Sequence, residues 1–481
     1  MGTLDRLRAL VKGTGPASAK ATAGEFASSA STGAGAVRVR ELTYEPVGDD
    51  GLPLVEAPLT ALDGAREIDG PLGKTLIVER HYAPADWHGS LQLRDARVTP
   101  DDVALIARDP AAADAPRARI LYLDLETTGL SGGAGTVAFL VGCALSREDG
   151  SFLIRQFVLP SFAAERALIG AVSEWAKAEA AVLVTYNGRT FDVPVMETRW
   201  AFHRLRSPWD DLPHLDMLHV ARRLWSKKHA RDPERSPWAA SARASSAGDA
   251  PEDTGCRLVH LERALFEVER IGDVSGFEIP GRYFDFVRRG DWSVLEPVLH
   301  HNRLDLLSLA GVTARAARLL RTGAMACTKA EEAALLGREL HRRAEFAEAE
   351  VCYRRGLDDL APGHGLRPET LAGLARLLRS QRRYDDAAVC WTEIIGLRGV
   401  RAGLRQEATE ALAVHFEHRR CDLERAQSYA ERARRAELAR PDAGRSAADR
   451  LDRRLDRLRR KLSGARSGGE AVGASPGPGL F

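Results

Sequence analysis

From residue 120 to the helix that starts near Asp192 the hydrophobic pattern switches from short runs to a helical period and back, which limits the chain to few folds. Three runs rich in apolar and β-branched residues, ILYLDLETT, TVAFLVGCAL and SFLIRQFVL, follow one another with only Gly-rich or charged breaks at Ser131–Gly135 and Arg147–Gly150. Each run has the length of a strand, and breaks that short predict hairpin-like connections. A helical pattern follows from Ala163 to Lys177, then the buried-type strand AAVLVTYN, then a second helix starting near Asp192. This β-β-β-α-β-α order predicts an α/β domain with a mixed sheet flanked by helices.

The rest of the chain is organised differently. At 481 residues it exceeds what one core usually serves, so two or three domains are expected. Residues 1–80 read as a largely flexible N-terminal region, because Gly13 to Ala36 is small, polar and aperiodic. Leu54 to Asp101 reads as an irregular lead-in with one short apolar run at Thr75–Val78. Residues 226–255, rich in Ser, Ala, Pro and charge, read as a disordered insertion within a domain spanning 81–322. Over 328–440 the chain turns helical and self-similar: Phe346, Ala349, Cys352 and Tyr353 recur as Tyr384, Ala387, Cys390 and Trp391, and Ala426 takes the small position again. The spacing of about 38 residues is close to that of tetratricopeptide repeats, so an all-α, tetratricopeptide-like repeat domain is expected there. The Gly-, Ser- and Pro-rich tail 463–481 is expected to be disordered.

Composition excludes several functions. No apolar run approaches a bilayer span, and the longest, Val137 to Leu145, is interrupted by Gly142. The opening MGTLDRLRALVKG has no apolar export core, so a cytoplasmic protein without a membrane partner is expected. Six scattered cysteines without a CxxC pair argue against a zinc knuckle or a disulfide framework. A net charge of +2 requires any basic groove to be local.

Three segments carry the chemistry. Asp124 and Glu126 sit at alternate positions of the first strand, so both carboxylates leave one face at its C-terminal end. Asp192 follows the strand and turn of TYNGRTFDVPVMETR. Asp305 lies in the apolar helix VLHHNRLDLLSLAGV, with His301 one turn earlier and His300 beside it. Each alone reads as a strand end, a helix cap or a surface pair.

In this order, D-x-E-T-T, Y-N-G-x-x-F-D-x-P and H-N-x-x-D resemble the exonuclease motifs of the ribonuclease H-like DEDD 3′–5′ exonuclease superfamily. They are similar to the proofreading domains of family B DNA polymerases and, more closely, to a ribonuclease H-like family of predicted bacterial exonucleases. TTGLSGGAGTVAFLVG, HLDMLHVARRLW and GFEIPGRYFDFVRRGDW look like that family too. The resemblance covers about Tyr82 to Ala316 and leaves out the repeats.

It implies a ribonuclease H-like fold and hydrolysis of phosphodiesters in DNA or RNA, with a single-stranded end as substrate. Negative charge builds on the attacking and leaving oxygens together, and two divalent ions about 4 Å apart, Mg²⁺ or Mn²⁺, suit such a reaction. Asp124 would bridge both ions, Glu126 and Asp305 would complete one sphere, and Asp192 would serve the other directly or through water. Superfamily members place Tyr four residues, or His five residues, before the last Asp. Here His301 and His300 fill those positions, and His301 at i,i+4 is favoured as the general base. The resemblance also implies that Asn187 and Phe191 position the terminal nucleotide and that Thr127, Thr128 and Gly129 let backbone approach the 3′ end. The competing reading is an inactive nucleic-acid-binding or scaffold protein that works through its repeats, which in either case offer a surface for a protein partner.

Overall fold

The computed structural model describes residues 62–113, 119–129, 135–180, 182–226, 256–439 and 445–470. Residues 1–61, 130–134, 227–255 and 471–481, which include most of the segments expected to be flexible, lie outside them.

The N-terminal lead-in is more regular than its text suggests. It forms β1 (Ala65–Gly70) and the ten-residue β2 (Gly73–Tyr82), a short hairpin of β3 (Trp87–His88) and β4 (Leu91–Gln92), and α1 (Pro100–Ala107). The irregular lead-in is thus corrected: β2 pairs antiparallel with a strand far downstream, and tertiary pairing can order a run whose own periodicity is weak. The expected strands follow as β5 (Ile120–Thr127), β6 (Ala138–Ser146) and β7 (Phe152–Val158), then α2 (Glu165–Glu179), β8 (Val182–Thr185), α3 (Asp192–Phe202), β9 (His214–Asp216) and α4 (Met217–Leu224). Three further helices, α5 (Leu258–Phe266), α6 (Ile279–Arg289) and the 27-residue α7 (Glu296–Thr322), complete the domain.

One seven-stranded sheet runs in the order β1-β2-β7-β6-β5-β8-β9. β5 is antiparallel to β6 and parallel to β8, so the sheet is mixed and both faces are covered by helices, the ribonuclease H-like plan. Alternation along β5 assigns its faces. Leu121, Leu123 and Leu125 enter the core beneath α2, α3 and α6, whereas Ile120 and Tyr122 enter the core formed with α1, α4 and α7. Asp124 and Glu126 continue the second row, so the strand's own period aims both carboxylates at the α7 side.

Beyond α7 the chain is all-helical: α8 (Ala330–Arg342), α9 (Phe346–Asp359), α10 (Arg367–Ser380), α11 (Tyr384–Gly396), α12 (Ala402–His418), α13 (Leu423–Leu438) and α14 (Arg445–Glu470). The recurrent residues fall on the second helix of successive pairs, where Ala349, Cys352, Ala387 and Cys390 are buried. A left-handed residue turns each pair at Ala344, Arg382 and Cys421. Helix α14 runs on through Glu470, so the first part of the tail expected to be disordered is helical. The apolar cluster around α7 continues through Leu336, Ala349 and Leu377 into these pairs. Among the described residues, no helix is long and apolar enough to cross a membrane.

Candidate active site

The site grows from one row across three strands. In the sheet register Asp124 of β5 stands opposite Gly142 of β6, and Gly142 opposite Gln156 of β7. Helix α7 lays Asn302 over the glycine. Asn302 donates through Nδ2 to Asp124 Oδ2 at 2.8 Å and accepts from Gln156 Nε2 at 2.8 Å. Gln156 also donates to the Leu299 carbonyl, which fixes the first turns of α7 on the sheet. A Cβ at position 142 would lie 2.6 Å from Asn302 Cγ and closer still to Oδ1, so the absence of a side chain at Gly142 makes room for the amide. Asn302 and Gln156 are fully buried, and each polar partner is satisfied by the other.

The four acids lie near enough for their charges to act on one another. Burial pushes Asp124 well above the usual carboxylate range, and the charges of Asp305, Glu126 and Asp192 push it further, with Asn302 opposing. Glu126 is raised by burial and then by Asp305 and Asp192, with Arg270 opposing. Asp192, buried at the start of α3, is pushed up to about 7 by burial, although backbone N–H groups of Asp192 and Leu125 donate to it. Like charges this close favour protons or a cation.

Asp305 is held on the other side by a network with no sequence signal. Arg270, in the loop after α5, donates to Asp305 Oδ1 at 2.5 Å, to Asp273 at 3.1 Å and to both oxygens of the buried Glu262 at 2.6 and 2.8 Å. Ser308 donates to Glu262, and His88 contacts Ser308 at 2.7 Å. Burial works against the Arg270 charge, but its partners hold it protonated more firmly than an ordinary guanidinium.

The two candidate bases separate. His301 Nδ1 lies 2.8 and 2.9 Å from the two Asp273 oxygens, and its Nε2 faces Asp305 Oδ2 at 3.5 Å. Burial opposes ionisation of Asp273, yet its bonds to His301 and Arg270 bring it below the ordinary value. His300 is exposed on the helix, its pKa lowered by partial burial and by Arg303.

The substrate-contact candidates lie at the rim. Asn187 is exposed and left-handed (φ 65°), its N–H held by Asp216 Oδ1 at 2.9 Å and its Oδ1 bonded by Thr190 at 2.7 Å. The buried Asp216 also caps α4 and accepts from Arg189 N, so it fixes the turn that leads to the half-buried Phe191. His214 of the same strand bonds Thr185 at 2.9 Å, and burial with Arg189 lowers it to about 4. Thr127 is buried and spends its hydroxyl on the Gly129 carbonyl. The Thr128 N–H donates to the Val137 carbonyl and its hydroxyl oxygen accepts from Val137 N–H, which leaves the hydroxyl proton as the group that can meet a substrate.

The sequence reading assigned no role to Gly142, Gln156, Asn302, Arg270, Glu262 or Asp273. For Gln156 the available signal was a glutamine inside the apolar run SFLIRQFVL, and for Asn302 its place in the H-N-x-x-D motif; Arg270 and Asp273, in a loop, offered none.

Among the described residues, no three His, Cys, Asp or Glu side chains are already gathered as a cage for an ion. The chemistry of the donors nevertheless suits hard cations, since four carboxylates supply only oxygen.

Residues 121–317 match the RNase_H superfamily model. The chain is 29% identical over 349 residues to the uncharacterized protein YprB of Bacillus subtilis (strain 168), across 72% of this chain and 75% of that protein. The chain therefore carries an RNase_H superfamily domain over 121–317, which points to hydrolysis of nucleic acid.

Proposed function

We propose that this domain is a metal-dependent nuclease of the DEDD type, removing nucleotides from a single-stranded 3′ end of DNA or RNA. What supports the reading is that Asp124 and Glu126 of β5 and Asp192 of α3 each have their charge disfavoured by burial and by Asp305 of α7. These four side chains would hold two divalent cations, Mg²⁺ or Mn²⁺. When bound, the cations supply charge stabilisation for the developing oxyanions and lower the pKa of water.

The protein's own groups do the rest. Asp273 fixes the His301 ring through Nδ1, which leaves Nε2 directed at the carboxylates, where a nucleophilic water's proton can be taken. Asn302 holds Asp124 in one rotamer and favours its ionised form. Asn187 and Phe191, on the turn fixed by Asp216, would position the last nucleotide, and Gly129 would let backbone approach its 3′ end. The helix pairs beyond α7 would lengthen the substrate path or recruit a protein.

A second reading, an inactive nucleic-acid-binding or scaffold protein, draws on Arg270. Its guanidinium occupies Asp305 Oδ1 and offers that carboxylate a protein cation in place of a metal.

One digestion series decides between them. Strands of DNA and RNA labelled at either end are incubated with Mn²⁺ and wild-type protein or Asp124→Asn. The nuclease reading expects ladders that shorten from the 3′ end with wild type and none with the variant. No product from any strand, or equal products from both proteins, would sink it.

A further inference from the structure

A cavity of about 1080 Å³ lies away from the carboxylates, where α5 and α7 meet the start of α8; none of the four acids lines it. Its cationic side chains divide into two sets. Arg315 is paired with Glu332 and Arg321 with Asp102. The side chains of Arg97, Arg263 and Arg318 also line it and, among the described residues, make no hydrogen bond or ion pair, while Lys329 reaches the Ala264 carbonyl at 3.4 Å; against these four cations stand the carboxylates of Asp95 and Glu331 in the same lining. Cations that line one space in excess of the acids there leave a positive potential that an anion offsets.

Helices α5 and α7 also give the cavity an apolar part, at Phe266, three residues beyond Arg263 on α5, and at Gly311, two turns before Arg318 on α7. Phe266 and Leu91 lie against α7 at Gly311, where an added Cβ would come within 2.9 and 2.7 Å of them. The packing of that ring therefore requires a residue without a side chain on α7. Cations beside a flat apolar wall fit a ligand that joins a phosphate to a planar, weakly polar body.

We propose that this cavity is a second binding site, for a nucleoside phosphate, with the phosphate on Arg263 and Arg318 and the base against Phe266. The unit is either a free nucleotide or one nucleotide of a strand. The site does not depend on the nuclease reading, since it shares no acid with it.

Binding is measured on the full chain in EDTA, by fluorescence anisotropy, with labelled adenosine monophosphate and with a short labelled single strand. Both arginines are exposed, so Arg263→Glu/Arg318→Glu is expected to fold, as checked by far-ultraviolet circular dichroism. The double reversal is expected to weaken binding by about tenfold or more, while Arg263→Lys/Arg318→Lys retains most of it. Asp124→Asn should leave it unchanged. Weakening seen with the mononucleotide assigns the site to free nucleotide; weakening seen only with the strand assigns it to nucleic acid. Unchanged binding of both probes by the double reversal overturns the site, and inorganic phosphate competing as well as adenosine monophosphate overturns the role of Phe266. Loss of binding in Asp124→Asn places the ligand at the carboxylates and overturns the proposal.

Discussion

Asn302 occupies the space that a side chain at Gly142 would fill, and from there it bonds Asp124 Oδ2 at 2.8 Å. One helix residue thus ties α7, which brings Asp305, to the strand that brings Asp124. Asn302→Ala removes the one side-chain bond that favours the charged form of Asp124, and leaves Gln156 Nε2 one acceptor fewer. The acidic limb of the pH–rate profile is expected to move up by about one pH unit, the size of a charge-assisted hydrogen bond. An unmoved limb would show that Asn302 serves packing alone.

Gly142→Ala tests the same contact from the sheet. The amide that would have to move is buried and held by Gln156, so it cannot swing into solvent. Overpacking of this kind costs about 1–3 kcal/mol, readable as a lower urea midpoint at constant slope. Activity should fall further than stability alone explains, because Asp124 loses its partner. Wild-type values for both would mean that the sheet yields at this row.

Asp192 contributes to the pH dependence of the metal-free fold in the same sense as Asp124 and Glu126, which are raised too. Its folded value of about 7 lies above the ordinary Asp value, so the folded state binds its proton more tightly than the unfolded chain does. The stability that this proton contributes is whole below about pH 4 and is lost as pH rises through about 7. In EDTA the Tm should therefore decline over that window, and Asp192→Asn should flatten the decline. Added Mn²⁺ should raise the Tm of wild type at pH 7 or above and do less for the variant. A Tm that is level with pH in wild type, or equally sloped in both proteins, would contradict this account.

For the proton-transfer role, His301→Ala is expected to lower turnover by roughly 10² to 10⁴, and exposed His300→Ala to have little effect. Asp273→Asn keeps a group beside Nδ1 but removes its charge, and should lower turnover by a smaller factor. Steady-state rates on one oligonucleotide check the ranking. A larger loss in His300→Ala would move the base to that residue.

Arg270 is costly to empty. Its replacement by Met leaves Glu262, which is fully buried, without its cation. Breaking a buried pair from one side costs about 3–5 kcal/mol, and urea denaturation in EDTA should show a loss of that order. Asp305 would at the same time be released, so Mn²⁺ titration should show tighter binding than in wild type. Weaker binding would indicate that Arg270 orients the carboxylate instead of competing for it.

The sequence by itself determined the strand order from β5 to α3 and the face from which Asp124 and Glu126 project, because both follow from local period. It also marked Asp192 and Asp305, whose surrounding motifs are contiguous in the chain. The tertiary structure decided what those periods do not encode. β2 joined the sheet through a partner far along the chain, and Gly142 became a space for Asn302 only once β6 lay under α7. Arg270 and Asp273 met His301 and Asp305 through a loop whose text carries no period. Helical and strand periods report which way a residue faces; which residue it meets depends on long-range packing, and at this site that packing sets the charge balance.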